Sequence, residues 1–180
     1  MTVKERIAAL RARMKETGID AYLIPTDDFH GSENVGEYFK CRKYITGFTG
    51  SAGTAVIMQD MAGLWTDGRY FIQAADQLEG TGITLFKMGE PEVPTVHEFL
   101  EKNLTQGRCL GFDGRTVSAK EAAELEKMLD ENGVSLSVDH DLAGDIWENR
   151  PVLSCEPVTE LDIKWAGESR ADKYARSEEH

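Results

Sequence analysis

Apolar positions along the chain repeat with two periods. From residue 3 to 17, Ile7, Leu10 and Met14 stand three and four apart among charged residues, the spacing of a helix with one buried face. Val96, Phe99, Leu100 and Leu104 repeat that stripe over 95–104, and Ala122, Leu125 and Leu129 repeat it over 118–131. Each of these segments opens on a Ser or Thr with Glu three residues later: Thr2 and Glu5, Thr95 and Glu98, Ser118 and Glu121. That pair lets side chain and backbone satisfy each other's unpaired groups at a helix start. A fourth helix is predicted over 69–78, in RYFIQAADQL.

The other apolar segments are short and extended. Gly18 precedes AYLI, Gly80 and Gly82 precede ITLF, Gly107 precedes CLGF and Gly133 precedes VSLSV. A glycine just past a helix end takes the left-handed conformation that closes the last turn, so helix, glycine and strand alternate as in an α/β protein with parallel pairing. Between the first and fourth strands the rhythm breaks. GTAVIM and AGLWTD are separated by Gln59, Asp60 and Met61, which suits a hairpin. The pattern therefore predicts a six-stranded mixed sheet, strands near 20–24, 54–58, 62–66, 83–87, 109–112 and 134–138, flanked by helices.

Length and composition fit one soluble domain. A chain of 180 residues buries roughly 70% of its unfolded surface without needing a staple. Lys and Arg number 20 against 32 Asp and Glu, a net charge of -12. A surface that acidic repels nucleic acid and anionic lipid, and neither is expected as a partner. Cys41, Cys109 and Cys155 are odd in number and widely spaced, so they indicate neither a disulfide framework nor a zinc site. The first residues carry Lys4, Glu5 and Arg6 where a signal peptide would need apolar ones, and a reducing cytoplasm is the expected home.

Candidate chemistry is sparse. The segment GFTGSAGTAVI places Gly47, Gly50 and Gly53 three apart ahead of a strand. A nucleotide-hydrolase phosphate loop needs a lysine, and a dinucleotide fingerprint leads into a helix; this loop has neither, so it reads as a tight turn. Ser51 lacks a nucleophile elbow, because Thr49 replaces the first glycine and no helix follows. Asp67-Gly68-Arg69 sits between a strand and a helix, where Asp67 caps and Arg69 either pairs with it or projects into a cleft. Asp113-Gly114-Arg115 repeats the arrangement, favouring cap and ion pair for both. His30 lies among Asp27, Asp28 and Glu33 after the first strand, a grouping that could hold a ligand or metal. With His97 on a helix, His140 after another strand and His180 at the last position, however, no metal site is expected in this chain.

After Pro151 and Pro157 the sequence turns linker-like, then starts another helix at Ser169 and Asp172. Its apolar face would hold only Ala171, Tyr174 and Ala175. The expectation is a domain over 1–155, followed over 156–180 by a linker and the truncated start of a second domain.

The run YITGFTGSAGTAVIMQDMAGLWTDGRYFIQAADQL, Tyr44 to Leu78, closely resembles the amino-terminal domain of the Xaa-Pro aminopeptidases, or aminopeptidases P, of the larger three-domain kind. DAYLIPTDDFHGSE, DIWENRP and KWAGESRADK extend the resemblance over most of the chain in the family's order. It implies a creatinase/prolidase N-terminal fold with a ribonuclease H-like motif. It also implies a parent enzyme that releases the residue ahead of proline, using two divalent metals, commonly manganese. Two Asp, one His and two Glu of a carboxyl-terminal pita-bread domain would hold those metals, and none of these ligand segments occurs here. The resemblance further implies a homodimer, peptide substrates with proline second, and cleft-facing roles for Asp28, His30, Glu33 and Arg69. It departs from the family at Phe29, Asn34 and Cys41, where Pro, Tyr and a basic residue are usual, which bears on the polarity of the cleft-facing loop. From a different class, the alternative is a free-standing module that uses the His30 loop to bind a ligand. An α/β enzyme with its own nucleotide site is a third reading, disfavoured by the failed motifs.

Overall fold

The structure is a computed structural model that describes residues 1–178; His180 lies outside them. Helix α1 (Val3–Thr17) leads to β1 (Ala21–Ile24), and α2 (Cys41–Thr46) precedes the hairpin β2 (Thr54–Met58) and β3 (Ala62–Thr66). Then follow α3 (Phe71–Leu78), β4 (Thr84–Lys87), α4 (Val96–Asn103), β5 (Cys109–Gly111), α5 (Ala119–Asp130) and β6 (Ser135–Ser137). Helices α6 (Leu142–Asp145), α7 (Ile163–Ala166) and α8 (Arg170–Glu178) complete the described chain.

The six strands form one sheet in the order β4-β3-β2-β1-β5-β6. Strand β2 runs antiparallel to both neighbours, and the other pairings are parallel. The mixed six-stranded sheet expected from the sequence is what forms. Because strand side chains alternate between faces, the sheet sorts them into two cores. Tyr22, Ile24, Ala55, Ile57 and Leu64 meet α1, α2, α3 and α6, while Ala21, Leu23, Val56 and Trp65 meet α4 and α5. Trp65, fully buried, stacks on Phe86 with centroids 4.0 Å apart.

The expected helix starts form, with one informative difference. Thr2 with Glu5 and Thr95 with Glu98 make complete reciprocal caps. At α5, Ser118 Oγ accepts from the Glu121 N–H, but the Glu121 carboxylate contacts His97 Nε2 at 2.7 Å instead of returning to the backbone. It thereby ties α5 to α4.

The glycine loop is held from within. Gly47 closes α2 at φ 77°, and a Cβ on Gly50 would lie 2.2 Å from the Phe48 ring and 2.8 Å from Tyr70. The backbone must pass where no side chain fits. Phe48, within this loop, and Trp65, on β3 beside it, are both fully buried, but on opposite faces of the sheet.

Beyond β6, Tyr22 Oη donates to the His140 carbonyl at 2.6 Å and accepts from the Leu142 N–H at 3.0 Å. Trp147 stacks on Tyr44 with centroids 4.5 Å apart, and Arg6 lies over the same tyrosine ring. These contacts strap the segment after β6 onto α1 and α2. From Pro151 to Asp162 the chain is exposed and neither helical nor extended in a sheet, and Val152, Val158 and Trp165 lie open to solvent. Helix α8 starts at the place expected, with Ser169 Oγ accepting from the Asp172 N–H at 3.1 Å.

Candidate functional site

The strand directions bring the carboxyl ends of β1, β3, β4, β5 and β6 and the amino end of β2 to one edge of the sheet. That edge gathers the acidic loop after β1, the glycine loop and both Asp-Gly-Arg turns. In α/β sheets ligands bind outside the carboxyl ends, where successive connections leave toward opposite faces. Here the chain after β1 leads to α2 on one face, and the chain after β5 leads to α5 on the other.

That crevice is filled. Asp141 accepts from Arg115 Nη2 at 3.0 Å, from Arg150 Nη1 and from the Gly144 N–H at 2.8 Å. Arg150 also donates from Nε to the Tyr38 carbonyl, lies 3.8 Å over the Tyr38 ring, and reaches Cys41 Sγ at 3.3 Å. Burial pushes the Cys41 thiol up to about 12, which leaves it protonated and unreactive. The space left at the crevice is about 20 Å³, room for one water. The Arg150 of DIWENRP thus plugs the position where this architecture usually holds a ligand.

Larger cavities flank the plug. One, of about 500 Å³, is lined by Leu23, Asp27, Met88 and the His97–Glu121 pair. The other, of about 310 Å³, lies between the loop after β1, the start of α2 and the glycine loop, with Glu33, Asn34, Lys40, Lys43 and Ser51 on its walls.

The four sequence-predicted site residues do not converge on one pocket. Glu33 lines the 310 Å³ cavity. Asp28 turns back on its own loop, accepting from the His30 and Ser32 N–H groups at 2.8 and 3.0 Å; these bonds hold its carboxyl below the usual range. His30 is exposed. Arg69 donates from Nε and Nη2 to the two carboxylate oxygens of Asp67 at 2.9 and 2.8 Å, while Asp67 accepts the Arg69 N–H at 3.0 Å. The fork of side-chain bonds, followed by the backbone bond, draws the Asp67 carboxyl down to about 2 and raises the guanidinium. The expected cap and ion pair are therefore both present, and the Arg69 side chain remains 70% exposed. Among the described residues no group of three or more His, Cys, Asp or Glu side chains is placed to hold a metal ion. No helix among them is long and apolar enough to cross a membrane.

Sequence reasoning missed Arg42. It is 4% exposed and donates from Nε to Thr26 Oγ1 at 2.7 Å, from Nη1 to the Phe48 carbonyl at 2.9 Å, and from Nη2 to the Gly50 carbonyl. Thr26 Oγ1 in turn donates to the Gly53 carbonyl at 2.6 Å. One guanidinium thus organises the glycine loop from inside. The charged run FKCRKY gave no sign of it, because α2 is too short to show a periodic face.

Comparison with known proteins follows the same lines. Residues 6–144 match the model of the creatinase/prolidase N-terminal domain. The chain is 40% identical over 178 residues to aminopeptidase P2 of Arabidopsis thaliana, covering 96% of this chain and 25% of that protein. It is 42% identical over 173 residues to a Laccaria bicolor protein named "Probable Xaa-Pro aminopeptidase P", covering 95% and 27%. The chain thus spans about a quarter of the length of these relatives. Among solved structures, the X-prolyl aminopeptidase of Caenorhabditis elegans, described as a cytosolic enzyme with a di-nuclear active site, superposes with a TM-score of 0.85 at 34% identity. That match covers 99% of this chain and 31% of the other. The N-terminal domain of the cytoplasmic peptidase PepQ from Mycobacterium tuberculosis, crystallised by itself, matches with a TM-score of 0.56 at 25% identity. It covers 79% of this chain and 98% of that one.

Proposed function

The chain belongs to the creatinase/prolidase N-terminal domain family, and from that membership we propose that it is the non-catalytic amino-terminal domain of a cytoplasmic Xaa-Pro aminopeptidase. The parent enzyme releases the first residue of peptides whose second residue is proline. Two divalent metal ions, manganese in this reading, supply a polarised carbonyl and an activated water there. In this reading the metals are held by a following pita-bread domain, as the family resemblance implies, and this chain contributes no ligand to them. The observation that carries the proposal is the superposition on the C. elegans enzyme, which takes in nearly all of this chain and under a third of that one.

In this reading the domain spans 1–155 and the linker and start of a second domain span 156–180. The apolar side chains of Val152, Val158 and Trp165 then pack against the parent's later domains. The domain supports homodimer assembly and borders the opening to the metal site. Asp28, His30, Glu33 and Arg69 are its cleft-facing groups, all at the carboxyl edge of the sheet. Of these we infer that Arg69 meets a peptide carbonyl or carboxylate, a reading supported by its exposed guanidinium, which uses Nε and Nη2 on Asp67 and keeps Nη1 unbonded among the described residues. The alternative, a free-standing ligand-binding module, rests on the cavity beside Glu33.

The experiment is a peptidase assay with manganese on an Arg-Pro-Pro peptide, comparing the 180-residue chain with a longer reading frame containing it. The proposal expects release of arginine by the longer protein only. Release by the 180-residue chain would overturn the non-catalytic role, and none by the longer protein would overturn the parent assignment.

A further inference from the structure

On a chain with a net charge of -12, the 310 Å³ cavity beside the glycine loop has the opposite sign. Lys40, Arg42 and Lys43 are on its walls against a single acid, the exposed Glu33. Three successive turns of backbone bring this about. Helix α2 starts at Cys41 directly after the short helix at Glu37–Phe39, so Lys40 and Lys43 fall on one side, and Arg42 points inward under the loop.

Arg42 is the unusual member. A buried guanidinium ordinarily sits against a carboxylate, because the cost of removing its hydration is large. Here its three nitrogens are bonded to two carbonyls and a hydroxyl. Among the described residues it forms no ion pair, and burial lowers it to about 10, so it keeps its charge at neutral pH. Carbonyl dipoles solvate that charge without cancelling it, and the positive field extends into the adjoining cavity. Lys43, half-buried, likewise has no ion pair among the described residues, whereas Lys40 is bound to Glu37. The remaining lining combines apolar surface from Pro25, Val35 and Phe39 with the polar groups of Asn34 and Ser51.

We propose that this cavity binds a carboxylate carried on a short apolar stem, the anion facing Lys43 and the field of Arg42 while the stem lies against Pro25, Val35 and Phe39. A carboxylate fits better than a phosphate, since Pro25, Val35 and Phe39 give a compact, fully hydrated anion nothing to contact. Two sources share this chemistry, the α-carboxylate of a peptide and a Glu side chain within one. The inference does not depend on the parent enzyme having peptidase activity.

The test uses the 180-residue chain, with calorimetry and amide chemical shifts as readouts. The probes are acetyl-Ala-Leu with a free carboxylate, acetyl-Ala-Leu amide, acetyl-Ala-Glu amide and inorganic phosphate. The expected result is saturable binding of the first, with shifts at Asn34, Lys43 and Ser51, and binding of the neutral amide weaker by about tenfold or more. Binding of acetyl-Ala-Glu amide as tight as the first would assign the site to side-chain carboxylates, and weaker binding would assign it to peptide ends. Lys43→Gln should weaken the carboxylate about fivefold and Glu33→Gln should tighten it, both without a change in unfolding temperature. Equal affinity for acid and amide, phosphate binding as tight as the peptide acid, or Lys43→Gln without effect would each overturn the proposal.

Discussion

The two Asp-Gly-Arg turns share a sequence and a local geometry but differ in what surrounds them. At 67–69 and at 113–115 the aspartate accepts the arginine N–H two residues on, and the guanidinium forks back onto both carboxylate oxygens. From there they part. Arg115 also reaches Asp141 at 3.0 Å and lies 5.1 Å over the Phe29 ring, so it belongs to the plug that fills the crevice. Among the described residues, Arg69 meets beyond Asp67 only the ring of the adjacent Tyr70, 5.3 Å away. A tripeptide fixes the bend; its neighbours decide whether the arginine holds the fold or is left facing solvent.

The strongest way to break the contrast is at Asp141, where Arg115 and Arg150 meet. Asp141→Ala removes the acceptor for both guanidinium groups and for the Gly144 N–H, and leaves Arg150, with its side chain only 12% exposed, without its ion pair. The expected loss is about 3 kcal/mol of stability by urea denaturation. A loss under about 1 kcal/mol would mean the plug contributes no more than a surface pair.

A milder probe exchanges the arginines one at a time. Arg115→Ala should cost about 1 kcal/mol, since the side chain is half exposed and water replaces part of what it loses. Arg69→Ala should lower the unfolding midpoint of the 180-residue chain clearly less than Arg115→Ala does, since it loses only an exposed pair that salt screens. Equal losses for both would erase the distinction between the turns.

The smallest effect lies in titration. Asp67 should titrate near 2, and in Arg69→Ala it should move up toward the ordinary ~3.9. A carboxyl lowered in the folded state adds stability above its unfolded pKa, and that contribution is lost as pH falls from about 4 toward 2. Because the pair is exposed, salt should shrink the shift. An NMR pH titration of the Asp67 side chain at two ionic strengths checks both points.

Much of this fold was legible in the sequence. Helices α1, α3, α4 and α5 carry enough residues for a helical period to show, the six strands are short apolar runs marked off by glycines or by the hairpin, and the observed limits of all ten fall within two residues of the expected ones. Helices α2 and α6 hold six and four residues, too few for an apolar stripe. The half-formed cap at α5 was hidden because His97, which takes the Glu121 carboxylate, comes from another helix. Candidate site residues were less legible still. Asp28, His30, Glu33 and Arg69 all lie at the carboxyl edge of the sheet, but of the four only Glu33 lines one of the cavities beside the crevice. Nothing in the local sequence marks Arg42 or Arg150, since their partners are backbone carbonyls, a thiol and an aspartate brought together by the fold.

The central claim is that matching turns serve different ends, with Arg115 holding the scaffold and Arg69, in the function proposed above, facing the substrate. The most direct measurement is Arg69→Ala in the longer reading frame, followed by kcat/KM on an Arg-Pro-Pro peptide and by the thermal midpoint of the same sample. The account predicts a fall in kcat/KM of about tenfold, as expected for a lost charge-assisted contact, with the midpoint lowered less than by Arg115→Ala. Unaltered kcat/KM, or a midpoint that drops as it does for Arg115→Ala, would contradict it.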